Sequence, residues 1–341
     1  MNGYFTDLTC LRSKLILNRL FRSNPGLVLG AVLATLVVVQ WTRADDAMNE
    51  ARDALVLFDW DGAYQKFTAI AKSAPPKSEA WAQATFGAAA AVCNRQPASK
   101  DYADTAAALY QSIIDSTPDS KYAPRALMNL ARIKELRDYP GDQPDLDGAT
   151  QLYLKVASNW PDRPIASEAT LRAASAMVQA YDVPDFAKVK QGVSLLESWI
   201  AAHPADPMQG VMLQYLGDIY FMPLGDTAKA NHQQDKMIDY YKKSLACYDK
   251  VDAIGWVDAG NQGPVYWRMA VLSETVGNLP SAIKYYTKNI TETPNSGKAY
   301  ESQLALKRLG APVPAIDIRA KAKKSSPTTQ RSSPTTQEAS R

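Results

Sequence analysis

From residue 46 onward, small, aromatic and branched apolar positions recur at intervals of four and then three, and each set is closed by a proline five residues later. Ala63, Phe67, Ile70 and Pro75 form the first set; Ala106, Tyr110, Ile113 and Pro118 form the second. Ala149, Tyr153, Val156 and Pro161 follow, then Gly192, Leu196, Trp199 and Pro204, so that the four prolines stand 43 residues apart. A further copy is Ala282, Tyr286, Asn289 and Pro294, and a degenerate one falls between at Met237, Tyr241 and Ser244. Positions 0, 4 and 7 share one face of a helix, and the proline ends it. The small residue admits a neighbouring helix and the aromatic fills the groove beside it. Ser78-Glu79, Asp119-Ser120, Ser167-Glu168 and Asn295-Ser296 read as starts of the next helices. The segments SEAWAQATFGAAAAVC and YAPRALMNLARIKELR supply partner helices, and no run of alternating β-branched residues occurs outside the first 44 residues. The pattern predicts an all-α array built of helix, turn, helix and proline turn.

The two ends depart from this pattern. Arg12, Lys14, Arg19 and Arg22 precede an uncharged run from Gly26 to Trp41. As a helix that run spans roughly 24 Å, short of the ~30 Å hydrocarbon core. It suits the apolar core of an export signal, with Thr42-Arg43-Ala44 as a cleavage site before Asp45. The alternative is a retained inner-membrane anchor through 26–41; either way the basic front predicts that the remainder lies outside the cytoplasm. Cys10 follows Tyr4–Thr9, which has no apolar run, so lipidation there is not expected. Residues 317–341 carry the hexamer SSPTTQ twice, and their Ser, Thr, Pro and Gln cannot offset the entropy of ordering; a disordered basic tail is expected.

Charge and chemistry narrow the function classes. The net +3 of the 341-residue chain hides +4 on residues 1–44 and +4 on 317–341, so the body 45–316 carries −5. An acidic body between basic ends is not a nucleic-acid-binding domain. Two histidines and three cysteines leave little for a histidine-rich metal site or a disulfide framework. His203, just before Pro204, reads as a helix C-terminal partner, and His232 as exposed. Cys93 and Cys247 lie in different helices and read as buried small hydrophobes that do not meet. The loop Gly141–Gly148 bunches Asp142, Asp145 and Asp147 but lacks the EF-hand spacing, so a helix-capping turn is the reading. Asp59-Trp60-Asp61-Gly62 reads as a helix start. Asn289-Ile290-Thr291 matches a glycosylation acceptor but falls mid-helix, and the glycines of 255–263 follow no strand and make no phosphate cradle. No catalytic set, cofactor or metal site is expected.

The pattern small-x3-aromatic-x2-apolar-x4-Pro resembles the second helix of a tetratricopeptide repeat, and Leu216-Gly217-x-x-Tyr220 resembles its first. Tyr266 through Met269 and Ala270, then Gly277–Tyr286 to Pro294, keeps the family's internal spacing; the other copies carry longer turns. The resemblance covers roughly residues 46–310, and phrases such as TPDSKYAPRALMNLAR and TPNSGKAYESQLALKRLG are similar to bacterial cell-envelope members. It implies a right-handed solenoid of about six repeats with lengthened turns, whose first helices line a binding groove. Carried over by register, the groove positions are Glu79, Ala82 and Phe86; Arg125, Met128, Arg132 and Glu135; Val211, Gln214, Asp218 and Phe221; and Trp267, Val271 and Glu274. Arg125 and Arg132 would hold a carboxylate, and Phe86, Phe221 and Trp267 would anchor apolar side chains. The resulting expectation is a non-catalytic periplasmic scaffold that binds a peptide or partner protein, with an accessory subunit of an envelope enzyme or secretion complex as the alternative.

Overall fold

The computed structural model describes residues 46–136, 139, 141, 143–179, 186–256 and 262–316, and every regular element among them is helical. The leader 1–44 and the tail 317–341 lie outside the described residues. Two compact units divide between Asp145 and Leu146.

The first unit holds α1 (46–56), α2 (Trp60–Ser73), α3 (Glu79–Cys93), α4 (Lys100–Ser116) and α5 (Ala123–Leu136). Each of α2 to α5 packs on its neighbour in sequence, and α1 joins α2 and α3 through Met48, Ala51 and Ala54. The second unit holds α6 (Leu146–Asn159), α7 (Pro164–Gln179), α8 (Ala187–Ala202) and α9 (Gln209–Ile219). A π-helical segment, Tyr220–Asp226, leads into the single turn α10 (Thr227–Ala230). Then come α11 (Gln234–Ile254), α12 (Gln262–Thr275), α13 (Leu279–Thr291) and α14 (Ala299–Arg308). Here too successive helices pair as antiparallel hairpins, with α9 against α11 and α12 against α14 as well. This is the packing of a helical-repeat protein.

The repeating positions do what their spacing requires. Ala63, Ala106, Ala149 and Ala282 are fully buried, and Phe67, Tyr110, Tyr153 and Tyr286 sit beside them almost fully buried. In the degenerate copy Met237, Tyr241 and Ser244 are buried too, and the Ser244 hydroxyl donates to the Gly217 carbonyl at 2.8 Å. The aromatics press on glycines of the adjoining helix: a Cβ at Gly87 would lie 2.5 Å from the Phe67 ring, and one at Gly217 2.8 Å from Tyr248. Glycine is needed there for close approach, not for backbone freedom. At the proline ends Thr117 and His203 are the last capping residues before Pro118 and Pro204, and the residue before a proline leaves the helical region.

Capping follows the sequence in part. The Ser78 hydroxyl accepts from Trp81 N at 3.1 Å, and the Asp59 carboxylate accepts from Gly62 N at 3.0 Å. Ser120 and Ser296 lie in the turns before α5 and α14 and accept from Tyr122 N and Lys298 N. Ser167 is a correction: α7 already starts at Pro164, which tolerates the first turn because its missing N–H would be unpaired there anyway. The Ser167 hydroxyl instead donates to Asp206 at 2.5 Å. Asn289 is fully buried in α13, its amide donating to Ser302 at 2.8 Å, so its glycosylation motif is enclosed by packing.

Candidate functional site

The register-derived positions divide by unit. In the first unit, Phe86 on α3 is half-buried against Tyr110 and Tyr122, with ring centroids 5.4 and 5.6 Å away. Met128 and Ala82 are buried, and Glu135 is 5% exposed. These side chains serve the packing between α3, α4 and α5. Arg125 and Arg132 on α5 are exposed. Arg132 borders a cleft of about 390 Å³ between α3, α4 and α5, whose walls include Ala90, Asn94, Tyr102, Asn129 and Ile133. Cys93 also lines it. The thiol is exposed, which corrects the expectation of a buried cysteine: it is the last residue of α3, where the helix runs out into the turn. Cys247 is buried as expected, and burial pushes its thiol up to about 11. Burial raises Tyr110 as well, although its hydroxyl accepts from the Asn129 amide at 3.0 Å.

In the second unit the positions converge. Asp218 on α9 receives the Arg268 guanidinium at 2.5 Å and the Tyr248 hydroxyl at 2.6 Å, and Arg268 also donates to Tyr248 at 2.8 Å. The same guanidinium lies 4.7 Å from the centre of the Phe221 ring. Burial alone would lower Arg268, but Tyr248 and Asp218 outweigh it and hold the cation above its ordinary value. At the neighbouring residue of α12, Lys298 before α14 sits 4.8 Å over the Trp267 ring. Glu274, a further two turns along α12, takes both Arg308 terminal nitrogens at 2.8 Å and the Tyr286 hydroxyl at 2.7 Å. The Arg308 hydrogen bond is the main reason its carboxyl stays below the usual range. Gln214 is half-buried one turn before Asp218. Three helices that are not consecutive in the chain, α9, α12 and α14, thus pair their side chains: Asp218 with Arg268, Trp267 with Lys298, Glu274 with Arg308.

Register alone missed Arg268, Tyr248, Lys298 and Arg308. Arg268 directly follows Trp267 on α12, and a cation beside that aromatic was the signal available. The partners of the other three lie 30 or more residues away in sequence, beyond any local motif.

A second polar cluster links α11, α12 and α13. Asp252 accepts from Lys288 at 2.7 and 2.9 Å, from Tyr266 at 2.9 Å and from the Trp256 indole at 3.3 Å. Burial would raise its carboxyl, and these donors together bring it below the usual range. Tyr285 donates to Asp249 and Tyr241 to Asp226, and both hydroxyls are pushed up by burial and by those carboxylates. These groups are saturated by one another and fix the helices that carry the first row.

The remaining sequence motifs resolve as structure. His203 stacks on Trp199 at 4.0 Å with its Nδ1 3.0 Å from the Trp199 carbonyl, closing α8. His232 is exposed. Asp145 pairs with Lys134 at 2.7 Å and Asp147 with Lys188 at 2.6 Å, while Asp142 lies outside the described residues. Among the described residues no three His, Cys, Asp or Glu side chains gather as a metal-ligand set, and no helix is long and apolar enough to cross a membrane. The run 26–41 lies outside the described residues. No model of a known protein family and no curated protein matches the chain. The helical-repeat architecture therefore stands on the packing, and the tetratricopeptide resemblance on the sequence pattern.

Proposed function

We propose that this chain is a non-catalytic interaction scaffold of the bacterial cell envelope, and that it captures a peptide or partner protein along the α9–α12–α14 row. The observation that carries this reading is the row itself. Half-buried Phe221 and Trp267 alternate with Arg268, Lys298 and Arg308, all held in place by neighbours before any partner arrives. Preordering of that kind lowers the entropic cost of binding, and aromatic and arginine side chains dominate interface energies. Export is supported by the basic front and apolar run of the leader, which deliver an acidic body to the far side of the membrane. Right-handed stacking of tetratricopeptide-like repeats would make the row part of a continuous groove.

Alanine at Trp267 and glutamine at Arg268, made separately in the native host, test the proposal. Each is expected to cut co-purification of the partner at least tenfold while the helical circular dichroism stays that of the wild type. Wild-type capture by both variants contradicts the row as the binding surface.

A further inference from the structure

Two apolar patches, one near each end of the described chain, are left uncovered and are opposite in charge. The turn between α1 and α2 exposes Val56, Leu57 and Phe58 at 73, 76 and 74%. Three large apolar side chains in succession, each about three-quarters exposed, are more than the single scattered hydrophobics of an ordinary surface. The turn is also rigid. Phe58 N donates to Leu55 O at 3.1 Å and Asp59 N to Ala54 O at 2.9 Å, the paired bonds that close a helix with a left-handed residue. That residue is Phe58, at φ 61°, where glycine is favoured. A bulky side chain is thus held in a costly conformation while three quarters of it faces solvent, with the edge of Trp60 5.6 Å from its ring. Nothing in the local packing requires it. The segment around it, 46–61, carries five acids against Arg52 alone, a net −4.

The second patch lies on α14. Tyr300 and Leu304 are 64 and 46% exposed one turn apart, and Lys307 continues the same face. Segment 298–308 carries Lys298, Lys307 and Arg308 against Glu301, a net +2.

We propose that the Val56–Phe58 turn of one copy docks on the Tyr300–Leu304 face of a second copy, a head-to-tail contact between unlike surfaces. Glu50 and Asp61 are paired with Lys66 and Arg95, and Lys298 and Arg308 with Glu301 and Glu274. Asp46 and Asp53 near the turn are left to meet Lys307 on α14, while Phe58 and Leu57 cover Tyr300 and Leu304. A contact this small is weak and concentration-dependent. Because the two surfaces differ, the contact repeats from copy to copy unless a ring closes. It shares α14 with the α9–α12–α14 row, whose Lys298 and Arg308 are paired there, but uses Tyr300, Leu304 and Lys307, which that row does not.

Sedimentation velocity of the full chain, in a mild non-ionic detergent that shields the 26–41 run, gives the test. The wild type is expected to sediment faster as concentration rises and to lose this shift in high salt. Phe58→Gly, which also relieves the left-handed strain, and the double variant Tyr300→Ser/Leu304→Ser should each stay monomeric. Mixed one to one, the two variants should form a heterodimer and stop there, since each retains one working surface. A wild type that stays monomeric throughout overturns the proposal, and so does association that survives either variant. A mixture that stays monomeric overturns it too, because the surviving surfaces would then not be partners.

Discussion

The helices of residues 79–136 and those of 209–308 solve the same packing problem with opposite materials. The first set relies on small residues. Ala82, Ala84, Ala88, Ala89 and Ala91 on α3 and Ala123, Ala126 and Ala131 on α5 are all buried, so backbones come close. The second set relies on tyrosine. Tyr220, Tyr241, Tyr248, Tyr266, Tyr285 and Tyr286 are buried at the ring, and each hydroxyl donates to a carboxylate: Glu197, Asp226, Asp218, Asp252, Asp249 and Glu274 in turn. An alanine seam is held by area and dispersion and tolerates no extra volume. A tyrosine–carboxylate seam is directional, costs stability when one partner is lost, and brings charge to the surface already oriented. In the first set Ala82, Met128 and Glu135 are buried and Phe86 half-buried while Arg125 and Arg132 stay exposed; in the second, Asp218, Trp267 and Glu274 each meet a cation.

Alkali should separate the two sets most sharply. Burial and neighbouring carboxylates hold the tyrosine hydroxyls of the second set above their ordinary value of about 10. The unfolded chain then releases protons that the folded chain keeps, so this stability is complete below about pH 10 and is lost as pH rises beyond it. Hydrogen exchange at rising pH is expected to show α9–α14 opening before α2–α5, together with a late, cooperative rise of tyrosinate absorbance. The acid side runs the other way. Asp206, Asp252 and Glu274 are held below the usual carboxylate range, so their contribution is present above about pH 4 and is lost as pH falls through their lowered values. Loss of protection in acid should begin around α8–α9 and α11–α13.

Among single substitutions, Phe67→Ala is expected to cost most, about 3–5 kcal/mol in urea unfolding, because it empties the space over Gly87. Tyr248→Phe should follow at about 1–3 kcal/mol, since Asp218 and Arg268 both lose a bond in a half-buried site. Tyr110→Phe removes an acceptor from Asn129 alone and should cost about 0.5–1.5 kcal/mol. Equal losses for the two tyrosines would break the contrast between the sets. Ser78→Ala, which removes the cap of α3, should cost about 1 kcal/mol in the same assay.

Much of this fold was legible in the chain because its rule is local. A small residue, an aromatic four on and a proline twelve on specify a helix face and its end; the weak copy at Met237, Tyr241 and Ser244 keeps the buried face but has no proline, and its helix runs on to Ile254. Ser78 and Asp59 announced their caps by position, whereas Ser167 misled because Pro164 starts α7 a turn earlier. The π-helical segment was not read; Pro223 removes a backbone donor there, and Gly225 admits the Tyr241 ring where a Cβ would lie 2.5 Å away. The candidate site was legible only as a list of helix positions. Which of them meet depends on partners as distant as Asp218 and Arg268, 50 residues apart, and no periodicity records that.

The central claim is that the α9–α12–α14 row captures a protein partner, and the direct measurement is a photo-crosslinking residue at position 267 in the native host, with adducts identified by mass spectrometry. The account predicts one dominant adduct to a different protein, diminished when Arg268→Gln is combined with the probe. Adducts only to other copies of this chain, or a partner yield unchanged by the Arg268 substitution, would contradict it.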